Sequence, residues 1–269
     1  MIFLFNRLLF IIILSSTSKI TLSHEFWIDP VNFYIKDNEI LKANIIIGEN
    51  YEGSKIAFSK RDFKNLKLHS KNDSLKIKGR LGDIPAINIK KPFTGLNIIQ
   101  IESEMNYVDY EGLLKFEVFS RKKGYRDLIK IHKDKNYPEN FVESYKRYAK
   151  SLVSVDTFDG TDVDTNMELE FIFLDNPIKN LDEPKKILLE YQNKILTNHQ
   201  VSIMSLKDNY YKRDYTKTNN RGYIEILFRE DTKYLIESVV IIEGSNKKKN
   251  NYAKWHSLWA SYTLKTPKK

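Results

Sequence analysis

The sequence predicts a mostly β protein, built as two β-sandwich-like domains with an inserted helical segment between them. Two observations predict it. Short stretches rich in Ile, Val, Tyr and Phe alternate apolar with polar residues and end at Gly, Asn or Asp, before residue 103 and again after 167. That is the pattern of strands with one covered face. Between those regions, apolar residues recur at three- and four-residue spacing, the pattern of amphipathic helices.

The first element is a leader. Arg7 precedes an unbroken apolar run at 8–14 (LLFIIIL), and small and polar residues follow to Ser23. This layout reads as a secretory signal peptide over 1–23, cut before His24. The run is too short for a bilayer core of about 30 Å, which takes roughly 20 apolar residues. The expectation is a periplasmic chain with no transmembrane helix after cleavage.

The N-terminal sandwich is expected over 24–155. Its strands read at 31–36, 40–47, 66–69, 75–78, 86–90 and 96–102, separated by Asp37-Asn38, Gly48-Glu49-Asn50, Asn72-Asp73, Gly82-Asp83 and Gly95. Its helices are expected within about 111–153. Leu113, Phe116 and Phe119, then Tyr125, Leu128 and Ile129, then Phe141, Tyr145, Tyr148 and Leu152 each fit one helical face. The stretch 156–166 (DTFDGTDVDTN) is acidic and aperiodic, and reads as a linker. A calcium loop there would need the terminal glutamate of the twelve-residue pattern, which is absent. From 167 to 269 a small C-terminal β-sandwich is expected, with strands at 169–174, 187–192, 201–206, 223–228, 234–242 and 255–264. Trp27, Trp255 and Trp259, near the two ends of the mature chain, read as core anchors of that chain's first and last strands.

Composition removes several functions. The chain has no cysteine, so disulfides, thiolate metal sites and Cys nucleophiles are excluded. The net charge of +9 becomes +7 without the leader, spread over scattered lysines. These read as a solvated surface guarding strand edges; contact with anionic envelope lipid or polysaccharide is the functional alternative. No nucleic-acid partner is expected. No phosphate loop, nucleophile elbow or HExxH occurs, so the chain reads as a non-enzymatic protein.

One residue carries chemistry. A chain cut before His24 begins with histidine, whose α-amine and imidazole form a compact chelate. Nickel, cobalt and copper ions favour such nitrogen donors. Further ligands would have to come from elsewhere: His256, His199, or an acid such as Glu25, Asp29 or Glu49. The candidate metal set is His24, Glu49 and His256.

Four blocks, HEFWIDP (24–30), FSRKKGYRDLI (119–129), ESYKRYAKSLVSV (143–155) and WHSLWASYTL (255–264), together resemble the exported NikM-like family of unassigned function. The resemblance implies a C-terminal domain like transthyretin-like and adhesin-repeat modules, and a periplasmic association with nickel or cobalt uptake. Relatives tend to have His where this chain has Glu49 and Val240, and an acid where it has His256. The expected function is a periplasmic binding protein, accessory to transition-metal uptake and partnered by an outer-membrane receptor or uptake transporter. The alternative is a metal-independent envelope module that binds such a receptor or a polysaccharide.

Overall fold

Strand after strand follows from β-branched and aromatic residues bounded by turns that only Asn, Asp or Gly take easily. Asn50, Asn193, Asn198, Asp208 and Asn209 all sit at positive φ, where a short polar side chain is tolerated. The computed structural model describes residues 24–244 and 253–268. The expected leader at 1–23 lies outside the described residues.

The elements in chain order are β1 (Glu25–Pro30), β2 (Tyr34–Ile35), β3 (Leu41–Glu49), β4 (Glu52–Ile56), β5 (Phe63–His69), β6 (Ser74–Lys76), β7 (Ile87–Ile89), β8 (Gly95–Ser103) and β9 (Asn106–Tyr110). Two helices follow, α1 (Leu114–Lys122) and α2 (Leu128–Asp134). Then come β10 (Phe141–Val155), β11 (Leu169–Phe173), β12 (Lys185–Tyr191), β13 (Lys194–Ile195), β14 (Gln200–Lys207), β15 (Tyr210–Lys217), β16 (Tyr223–Ile226), β17 (Lys233–Glu243) and β18 (Ala253–Lys265).

These strands form three layers. The central sheet runs β15-β14-β17-β18-β10-β8-β5-β6, with β2 and β9 also paired to β10. It draws strands from both expected domains, joined where β10 and β18 pair in parallel. One outer sheet holds β1, β3, β4 and β7; the other holds β11, β12, β13 and β16. Alternate residues of β18 feed different cores. Leu258, Ala260, Tyr262 and Leu264 pack with Leu169, Phe171 and Ile187 under the second outer sheet. Trp255 and Trp259 pack with Phe116, Phe119 and Leu128 of the helices. Beside them, Phe26, Ile28 and Ile45 of the first outer sheet cover Ile99, Ile101 and Val153. Each such side chain, fully buried, contributes about 1.5–3 kcal/mol. All three tryptophans are buried, as their core role requires.

The mostly β fold is as expected, and the two helices lie in the expected segment. The third helical stretch is corrected: Phe141–Val155 is a strand of fifteen residues. Its apolar spacing is ambiguous because both faces are covered, so alternation disappears. The 156–166 segment differs from a free linker. Leu96 N–H donates to Asp159 O (2.7 Å), Asn176 Nδ2 donates to Phe158 O and Gly160 O, and Asp162 is buried against the central sheet. Strands β1, β4, β9, β13 and β15 add to those read from the sequence.

Candidate functional site

At the start of β1 the first outer sheet, the end of α1 and the central sheet meet. Glu25 pairs with Gly48 across the β1–β3 ladder. Gly48 is needed there, since a Cβ would stand 1.9 Å from Glu52 O. The turn after it puts Asn50 and Tyr51 at positive φ and latches onto the central sheet. Tyr51 Oη donates to Met204 O (2.9 Å) and Lys233 O (3.2 Å). The end of α1 is fixed to β14 by Gln200 Nε2 donating to Lys122 O (2.8 Å).

These supports enclose a nest of charges. Arg213 Nη2 meets Glu25 Oε1 at 2.5 Å and Asn50 Oδ1 at 3.2 Å, while its Nη1 donates to Ser202 Oγ (2.9 Å). Lys123 pairs with Glu237, and its ammonium lies 4.5 Å from the Trp259 ring centre. Lys122 pairs with Glu49. Arg147 Nη2 donates to His24 O (3.4 Å), and its guanidinium lies over the rings of Tyr145 and Phe26. Glu25 is 2 % exposed and Glu237 4 %. Room for about one water, roughly 10 Å³, lies among Lys122, Lys123, Gln200, Arg213 and Glu237.

The nest is left incomplete. His24 Nδ1, Glu25 Oε2, Glu237 Oε2, Arg147 Nε and Ser261 Oγ are buried without a hydrogen-bond partner. Buried polar atoms are ordinarily paired, because an unmade bond costs about 1–3 kcal/mol. Burial raises the Glu25 carboxyl pKa, and the neighbouring Glu237 charge raises it further, against the opposing pull of Arg213 and Lys123. Burial also lowers the Arg147 pKa. By contrast, the hydrogen bond from Lys122 holds the more open Glu49 below the usual carboxylate range.

A hydrogen-bonded chain adjoins the nest behind Trp259. Trp259 Nε1 donates to Ser257 Oγ (2.9 Å), Ser257 donates to Glu143, and Tyr110 Oη donates to Glu143 Oε2 (2.8 Å). Burial pushes the Glu143 carboxyl up to about 7.

The expected metal set does not converge. His24 lies at the nest. Glu49 reaches its rim, where Lys122 engages it. His256 is corrected to the opposite face of the central sheet. It alternates with Trp255 and Ser257 on β18, and its Nδ1 lies 3.0 Å from Ser144 Oγ, in a cleft with Glu168 and Tyr191. His199 Nε2 sits 3.1 Å from Val239 O, and Asp29 pairs with Lys233. Among the described residues, no three His, Cys, Asp or Glu side chains gather as a metal site would require. Of the acids weighed from sequence, Glu25 is the one buried at His24. Sequence reading missed Glu237, Arg147 and Arg213, which come from three distant strands and leave no local motif.

No helix among the described residues is long and apolar enough to cross a membrane. No curated protein matches the chain. The family model for a domain of unknown function, DUF4198, matches residues 21–241; the chain belongs to the DUF4198 family.

Proposed function

We propose that the chain is an exported periplasmic binding protein whose N-terminus, released before His24, holds a divalent nickel, cobalt or copper ion as an accessory to its uptake. One observation carries this reading: His24 Nδ1 is buried without a partner, beside a nest whose Glu25 Oε2 is likewise unpaired. Imidazole nitrogen and a free α-amine are the donors these metals prefer, and a single carboxylate oxygen, that of Glu25, could join them. Arg213 already engages the other oxygen of that carboxylate. The site is therefore weaker than a closed three-ligand centre, which suits a protein that hands its metal on. Because the amine must lose its proton to bind, affinity falls as pH drops below about 8.

The test is the N-terminal sequence of the exported protein, followed by titration of that form with Ni(II), Co(II) and Cu(II). A chain starting at His24 should bind one ion, and lose it on His24→Ala or when one residue is added before His24. A different start, or binding no tighter than that of a free His-Glu peptide, would overturn the reading.

A second reading, a metal-independent envelope module, is favoured by β15. That strand ends the central sheet and exposes Tyr210, Tyr211 and Tyr215. An open edge with aromatic side chains suits strand addition by a partner. Retention on outer-membrane fractions in chelator, lost on Tyr211→Ser with Tyr215→Ser, would support it over metal handling.

A further inference from the structure

Lysines scattered in the sequence gather at the end of β3 away from Glu49. An open cleft of about 740 Å³ there is lined by Lys42, Lys78, Arg80 and Lys90. A second, of about 360 Å³, shares Gly79 and Arg80 and adds Lys60 and Arg61. The one carboxylate in either lining, Asp83, is engaged by Arg80 at 3.4 Å. Six cations thus face one paired acid.

The turn between the two clefts is built to project. Leu81 is 79 % exposed, the most of any large apolar side chain among the described residues, and Ile84 is 56 % exposed. Their backbone is held. Phe58 N–H donates to Asp83 O and Gly82 N–H to Phe58 O, both at 3.0 Å, and Arg80 N–H donates to Asp83 Oδ2 (2.9 Å). Gly82, at φ +90° with open space around it, supplies the bend.

We propose that this face docks on an anionic lipid bilayer. The cations meet headgroup phosphates, and Leu81 and Ile84 enter the boundary between headgroups and acyl chains. Charge alone would also suit an acidic polysaccharide. The two exposed aliphatic tips, fixed between the cationic clefts, favour the lipid, since a sugar chain gains nothing from them. The proposal is independent of His24 and of any metal.

The test is co-sedimentation of a chain beginning at His24, which contains every described element, with vesicles of phosphatidylglycerol and phosphatidylcholine, or of phosphatidylcholine alone, at physiological salt. Binding is expected to the anionic vesicles only. Each cation near such a surface is worth about fivefold in partitioning, so Lys78→Gln with Lys90→Gln should weaken binding about 25-fold. Leu81→Ser with Ile84→Ser should weaken it about tenfold, with an unchanged melting temperature. These exposed side chains carry no core packing, so both variants fold. No binding to anionic vesicles, or binding that ignores either pair of substitutions, would overturn the proposal. So would tighter retention on an acidic polysaccharide that Leu81→Ser with Ile84→Ser leaves unchanged.

Discussion

Two buried ionic clusters lie on opposite faces of the central sheet, and they differ in completeness. On the face covered by β11 and β12, Lys150 Nζ meets Asp162 Oδ1 (2.9 Å), Glu170 Oε1 (2.8 Å), Val163 O (2.8 Å) and Phe171 O (3.0 Å). Asp162 also accepts from the N–H groups of Val163 and Phe173, and Glu170 from those of Thr165 and Met167. All the carboxylate oxygens are used. On the other face, the nest around His24 leaves an oxygen of Glu25, an oxygen of Glu237, a nitrogen of Arg147 and Nδ1 of His24 unpaired. Both clusters bury carboxylates, but only in one is every carboxylate oxygen engaged within the chain. The saturated cluster is a clasp that fastens 156–166 to the sheet; the unsaturated one has capacity left for something else.

The sharpest way to break this comparison is to open the clasp. Burial works against the charge on Lys150, yet Asp162 and Glu170 outweigh it and raise its pKa. Lys150→Met leaves both acids buried and unpaired, which costs about 3–5 kcal/mol. A chain of this size should lose about 10 °C in Tm, readable by thermal melting.

Glu143, next to the nest, has the next largest effect, and it is a pH effect. Its carboxyl binds a proton more tightly in the folded chain, near 7, than the usual 4.5. Its stabilising contribution is whole below about 4.5 and is lost as pH rises through about 7. The total is on the order of 3 kcal/mol. Urea unfolding of Glu143→Gln across that range should give a flatter curve than the unaltered chain, and higher stability at the alkaline end.

Within the nest itself, Glu237→Gln should be far milder than opening the clasp. It frees Lys123 from its partner but removes the like charge beside Glu25. The two effects oppose, and a net change below about 2 kcal/mol is expected. The Glu25 pKa should move down toward its ordinary value, because Glu237 is one of the causes raising it. Carbon-13 NMR of the labelled carboxyl would report it; an unmoved Glu25 would show that the two acids do not share one field.

How far the sequence discloses these clusters follows from how each is built. Strands with one solvated face, such as 63–69, show themselves by alternation, and α1 by Phe116 and Phe119. β10 hides, since covering on both sides lets Glu143 and Lys150 stand at buried positions among apolar ones. A strand holding four charged residues between Phe141 and Val155 mimics a helix with a polar face. The acids of 156–166 mislead for the same reason: Asp162 looks solvated until Lys150 is placed opposite it. The nest is less legible still. Glu25, Arg147, Arg213 and Glu237 are brought together by the packing of two sheets and Lys123 by the end of α1, and no spacing in the chain anticipates it. Only His24 gave a local signal, through its position after the expected cleavage site.

The smallest expected effect separates what sequence position implies from what geometry implies. The resemblance read from sequence implies a histidine at the place of Glu49, and so an expectation that Glu49 is a ligand. In the fold, Lys122 holds it at the nest's half-exposed rim, and that hydrogen bond keeps its pKa low. Glu25, by contrast, is buried with an oxygen to spare. Glu49→Gln should therefore cost less than about 1 kcal/mol, the usual worth of an exposed pair, and change metal affinity by less than about twofold. Glu25→Gln should weaken the metal more than tenfold if the nest is the site. Titration of the two variants side by side decides between them. A larger loss at Glu49 would mean that metal displaces Lys122, and would shift the site from the nest's interior to its rim.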